Sequence, residues 1–173
     1  MISSIKSNLQ FIFKSGPILF LYILSFTELE TEFSNFYISY FSFNLQLIII
    51  YFWVLKSPDN MGAGHIFFAG IINDVVLGLT LGTSPLSFLS AALVATYVRN
   101  ATLRSKILTD WIAFIPALIL SYLITLYLIL NYSYISFDYI FLLKNYFFTF
   151  LVFPIFYIIF INFNQFINNR FDA

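Results

Sequence analysis

This chain has no cysteine and a single histidine, His65. The first absence excludes disulfides, thiol nucleophiles and thiolate metal sites. The second excludes a histidine cluster around a metal within one chain. Charge is scarce as well. Eight acids and eight bases among 173 residues leave 9% charged, where ordinary soluble domains carry roughly 25%, so water is not the main solvent of this sequence. The two signs cancel, and net charge therefore implies no polyanionic partner. Also missing are a Gly-x-Ser-x-Gly elbow, a His-Glu-x-x-His pair, and the Lys-Ser/Thr element that would make a phosphate loop of Gly62-x-Gly64. The expectation is a protein that is not an enzyme and holds no metal or cofactor.

What the chain does have is hydrophobic residues, 61% of it, and long intervals without charge. From Glu32 to Lys56 nothing but tyrosine can ionise; the same holds from Asp110 to Asp138 and from Lys144 to Arg170. Between Asp59 and Arg99 the only charge is Asp74. A membrane-spanning helix needs about 20 mostly apolar residues. The intervals accordingly predict an all-α, six-helix transmembrane bundle, one integral membrane domain over residues 1–173, with spans at about 9–26, 37–55, 63–81, 84–98, 108–130 and 146–163. No small-x-small cleavage site follows the first apolar run, so a retained span is expected there. Pro116 should kink the fifth span or mark its first turns.

Six spans put both termini on one side. Lys6, Lys14, Lys56, Arg99, Arg104, Lys106 and Arg170 fall on that side and only Lys144 falls opposite. Loops rich in Lys and Arg stay in the cytoplasm, which makes both termini cytoplasmic. Tyr37, Tyr40, Tyr132, Tyr134 and Tyr139 then lie near the outer interface, and Trp53, Tyr97 and Trp111 near the inner one. The acidic run Glu28, Glu30, Glu32 becomes an outer loop. No other ligand type clusters with it, so it reads as a solvated face rather than a metal site. Arg99, Arg104 and Lys106 are the candidates for cytoplasmic contact, or serve topology alone.

The chain is organised around residues 65–85, HIFFAGIINDVVLGLTLGTSP. Gly70, Asp74, Gly78 and Gly82 recur every fourth residue, a spacing that a helix brings onto one side. A stripe without bulk lets a second helix approach closely in a membrane. The expectation is a packing seam, made either within the bundle or with a partner's helix. Asp74 within a span costs roughly 2.5–3.5 kcal/mol on insertion scales and needs a partner. Ser87, Ser90, Thr96, Ser121, Thr125 and backbone amides freed by a broken helix are the candidates. Three roles are open to it: pinning helix packing, serving a partner protein, or a proton or substrate path. No second charge at similar depth forms a relay. A triad of His65, Asp74 and Ser84 is excluded, because about 19 helical residues, ~28 Å at the helical rise, separate His65 from Ser84.

The segment Phe68-Ala-Gly70-Ile-Ile-Asn-Asp74-Val-Val-Leu-Gly78-Leu-Thr-Leu-Gly82 resembles the signature of the MreD family, bacterial rod-shape-determining membrane proteins: F-x-G-x-x-x-D, a glycine, then a Leu-Gly pair. The likeness is specific over residues 58–99, and Pro58 fits the proline usual before this helix. It implies a non-enzymatic scaffold of the cell-elongation machinery in the bacterial cytoplasmic (inner) membrane. Such a scaffold binds MreC and helps couple MreB filaments to peptidoglycan synthesis by RodA and its transpeptidase. The family also resembles, in fold, the substrate-binding subunits of energy-coupling-factor vitamin transporters. The alternative it implies is a small-ligand-binding transporter subunit. The first helix, ILFLYILSF, lacks the small-x-x-x-small docking motif expected of one.

Overall fold

The computed structural model describes residues 15–27, 42–102, 106–132 and 139–171, the last five by backbone alone. Among these residues the regular elements are six helices and a 3-10 turn, with no strand. They are α1 (Ser15–Phe26), α2 (Leu45–Lys56), the turn Pro58–Asn60, α3 (Ala63–Leu77), α4 (Thr83–Ala101), α5 (Ile107–Tyr132) and α6 (Tyr139–Phe171). In sequence, α3 packs on α4, α4 on α5 and α5 on α6, while α2 touches both α4 and α6.

The centre of the bundle is α2. Every residue from Gln46 to Leu55 is buried, as expected of a helix that is apolar all round. Asn44 starts it, its side-chain oxygen accepting the Leu47 N–H at 3.0 Å. That cap makes the helix shorter than the expected 37–55: residues 42–44 are not helical, and 37–41 lie outside the described residues. At the other end, Arg99 on α4 donates from Nη1 to the Val54 carbonyl at 3.0 Å, satisfying one of the last-turn acceptors. Tyr51 packs on Phe114 of α5, with ring centroids 4.7 Å apart, and Phe114 stacks on Phe153 of α6 at 4.5 Å. Trp111 stacks on Phe150 and donates its indole N–H to that residue's carbonyl at 2.9 Å.

Two helices, α5 and α6, are long and apolar enough to cross a membrane. Only 33% and 28% of their most apolar stretches are buried. Leu123, Leu130, Ile155 and Ile158 stand exposed, while Gln46, Asn73, Asp74, Asp110, Ser121 and Thr149 are buried. So much exposed apolar bulk beside buried polar groups is unusual for a water-soluble domain. Helix α6 is far longer than the expected 146–163, because it already starts at Tyr139 and the asparagine-rich tail stays helical. Pro116 lies inside α5 rather than in its first turn.

Candidate functional site

The 65–85 segment folds as a helical hairpin, not as one stripe. Helix α3 ends at Leu77, short of the expected residue 81, because Gly78 adopts a left-handed φ of 65°. Its N–H and that of Leu79 (2.9 Å) both turn back to the Asp74 carbonyl. A glycine in this conformation closes helices because no Cβ meets the carbonyl. Gly82, at φ 106°, then opens α4 as its N-cap. Gly78 and Gly82 are therefore turn residues, and the four-residue spacing does not continue as a helical face past Asp74. A Cβ built at either meets nothing within 4 Å. Gly70 alone makes a close approach: a Cβ there would stand 2.6 Å from the Pro85 N and Cα. Gly70, Asp74, Gly78 and Gly82 thus do not form one helical face, and the close crossing inside the chain is at Gly70, where the start of α4 meets α3.

Asp74 sits in the last turn of α3, fully buried, not near the middle of a long span. Its Oδ2 accepts the Gly82 N–H at 2.7 Å and its Oδ1 the Ser84 N–H at 2.8 Å. The other donors at the start of α4 are also accounted for. The Thr83 N–H reaches the Thr80 carbonyl at 3.1 Å, Pro85 has no N–H, and Leu86 makes the first helical bond to Gly82 at 3.1 Å. One residue therefore closes α3 with its carbonyl and opens α4 with its carboxylate. The negative charge sits at the positive end of the α4 dipole, where a carboxylate is stabilised. Of the expected partners, backbone amides supply the bonds; Ser87, Ser90, Thr96, Ser121 and Thr125 bond elsewhere.

Asn73 beside it joins four helices. It donates to Ser84 Oγ at 2.9 Å and accepts from Gln46 at 3.0 Å, and Gln46 donates to Ser25 Oγ on α1 at 3.1 Å. A second chain runs from Ser90 to Ser121 (3.2 Å), from Ser121 to the Ser87 carbonyl (3.0 Å), and through Tyr146 to Thr125 (3.2 Å). Between the two chains lies a cleft of about 50 Å³ with mixed walls, polar at Asn73, Ser84 and Asn145 and apolar at Leu77, Phe88 and Ile129. That volume is enough for water.

At the opposite end of the bundle, Asp110 lies near the start of the expected 108–130 span. It is fully buried in the first turn of α5. Its Oδ2 meets Lys56 Nζ at 2.5 Å and accepts the Tyr157 hydroxyl at 2.7 Å, joining α2, α5 and α6. Nothing in the local sequence separates this aspartate from a loop acid; only the packing of α2 between α5 and α6 brings its partners to it.

No family model matches the chain, and no curated protein or solved structure matches it either. The site stands on its own geometry. Of the cytoplasmic contact candidates, Arg99 is engaged on Val54, Lys106 is exposed, and Arg104 lies outside the described residues, as do Glu28, Glu30, Glu32, Tyr37, Tyr40 and Tyr134. His65 hydrogen bonds Tyr22 on α1 through Nδ1 at 3.3 Å, an inter-helix contact remote from Asp74.

Proposed function

We propose that the chain is a membrane-embedded scaffold of the MreD type, crossing the cytoplasmic membrane of a bacterium six times with both termini inside. In this reading it binds MreC and takes its place with MreB, RodA and the partner transpeptidase in cell elongation. The observation that carries the reading is the Asp74 clasp. The residues shared with the MreD signature, Gly70, Asp74, Gly78 and the Leu81-Gly82 pair, are the ones that make the hairpin: one crossing glycine, one double cap and two left-handed turns. Such a set serves shape. It fixes the angle between α3 and α4 and leaves Phe67, Phe68 and Val75 exposed on the hairpin's outer side.

The membrane part of the proposal draws on the exposed apolar faces of α5 and α6 and the polar interior. Helices α2 and α3, with 12 and 15 residues, extend ~18 and ~22 Å at the helical rise, less than the ~30 Å hydrocarbon layer. Short elements are tolerated at membrane depth where protein surrounds them, and α2 is so surrounded. The transporter alternative is less favoured, because two clefts among the described residues, about 50 Å³ beside Asn73 and about 260 Å³ between α1 and α6, are both below the roughly 300–1,000 Å³ of ligand pockets.

The test is recovery from mild-detergent extracts of cells making the tagged chain. MreC should co-purify with the wild type, and recovery should fall at least fivefold with Asp74→Leu. Recovery of an ATPase module instead of MreC, or undiminished MreC with the variant, goes against the scaffold.

A further inference from the structure

Between α1 and α6, beside the end of α2, lies a cleft of about 260 Å³. That is room for roughly nine water-sized groups at ~30 Å³ each. Its walls are Pro17 and Phe20 of α1, Trp53 of α2, and Ile159, Phe160 and Phe163 of α6, with Gly16 at one edge. None of these side chains is charged, and the indole N–H of Trp53 is the one donor among them. Trp53 is only 3% exposed, and its N–H meets no acceptor among the described residues. Phe20, Ile159 and Phe163 are exposed, so the cleft is continuous with the apolar outer surface of α1 and α6.

We propose that this cleft seats one acyl chain of an ester-linked bilayer lipid, whose ester carbonyl accepts from Trp53. The inference rests on the membrane reading above. Among the described residues the wall is uncharged and gives a soluble polar ligand nothing to bind, and a cleft open sideways onto a lipid-facing surface is filled by what that surface meets. Trp53 is the residue type that suits the boundary between chain and headgroup, with an apolar body and one donor. In the proposed topology the lipid belongs to the inner leaflet. Gly16 sets the room: a Cβ there would meet only the far ring atom of Phe163, at 4.0 Å, so a large side chain at this position would lie in the cleft.

The chain has two tryptophans, and Trp111→Phe leaves Trp53 as the only one. The full-length variant is placed in dioleoylphosphatidylcholine vesicles, with or without bromine across the acyl double bonds. Bromine should quench Trp53 emission at least twofold although the ring is buried in protein, and Gly16→Phe should remove most of that quenching. An ether-linked brominated lipid, which lacks the carbonyl, should quench less; equal quenching by both overturns the carbonyl contact. Insertion with no quenching, or quenching unchanged by Gly16→Phe, overturns the seat alone. So does a second copy in its place, detected as a disulfide dimer of Phe163→Cys in this cysteine-free chain. A chain that does not enter the vesicles overturns the membrane reading and the seat with it.

Discussion

Asp74 and Asp110 are both sealed from solvent, at opposite ends of the bundle, and they are satisfied in different ways. Asp74 meets two backbone N–H groups and no cation. Asp110 meets Lys56 and a tyrosine hydroxyl. The first arrangement is local: carboxylate and amides lie eight and ten residues apart in one hairpin. The second reaches 54 and 47 residues along the chain and closes only when three helices have packed. A backbone-capped acid sets the shape of one turn, while a cation-paired acid locks the relation between distant helices. The two should therefore fail differently.

The largest effect is expected at Asp74. Asp74→Leu removes two hydrogen bonds to a charged acceptor, each contributing about 1.5–3 kcal/mol, and leaves the half-buried Gly82 N–H and the buried Ser84 N–H without that acceptor. No second substitution in another helix can restore them, because the donors are main chain. Asp74→Asn keeps one acceptor oxygen and should recover about half the loss. The thermal midpoint of the detergent-solubilised protein measures both. Equal midpoints for Leu and wild type would show that the clasp does not hold the hairpin.

Next comes the cation pair. Lys56→Met leaves the Asp110 carboxylate without its cation and should destabilise by about 3–5 kcal/mol, the usual result of breaking one side of a buried pair. Here a second change does rescue. Lys56→Met with Asp110→Asn removes both charges and still accepts from Tyr157, so most of the loss should return. Rescue at this end and none at the Asp74 end is the sharpest form of the contrast. If the double variant is no better than the single, the charge on Asp110 is not what Lys56 is needed for.

How much of this was legible in sequence follows the same division. The all-helical class could be read from charge-free intervals, and Asp74 stood out as the one acid in a long apolar run. Its partners were within reach too, since Gly78, Gly82 and Pro85 are signals for a helix stop and start. The turn at Gly82–Pro85 could be read directly, between the third and fourth spans; the glycine spacing of four hid only its start at Gly78, by offering a face where the backbone makes a turn. Asn44 is the same kind of omission: a good N-cap read as part of a span. Asp110 was not legible. An acid just after Arg104 and Lys106 reads as a loop charge, and the residues that bury it come from α2 and α6. Asn73 and Gln46 also escaped, because an uncharged amide in an apolar run gives no signal until its neighbours on other helices are known.

The smallest expected effect separates the two kinds of glycine in the hairpin. At Gly70 space is the limit, since a Cβ would collide with Pro85; at Gly78 there is space, and the backbone angle is the limit. Gly70→Ala should cost about 1–3 kcal/mol as overpacking, and Gly70→Asn, which is larger, should cost more. Gly78→Ala should cost about 1–2 kcal/mol for the left-handed conformation. Gly78→Asn should cost less than Gly78→Ala despite its size, because asparagine visits that conformation more readily. Opposite rank orders of Ala and Asn at the two positions, read from thermal midpoints in detergent, are what a single close crossing followed by a glycine-closed turn requires. The same order at both would mean that Gly78 is also limited by bulk, which restores the continuous small-residue face and removes the reason for α3 to stop where it does.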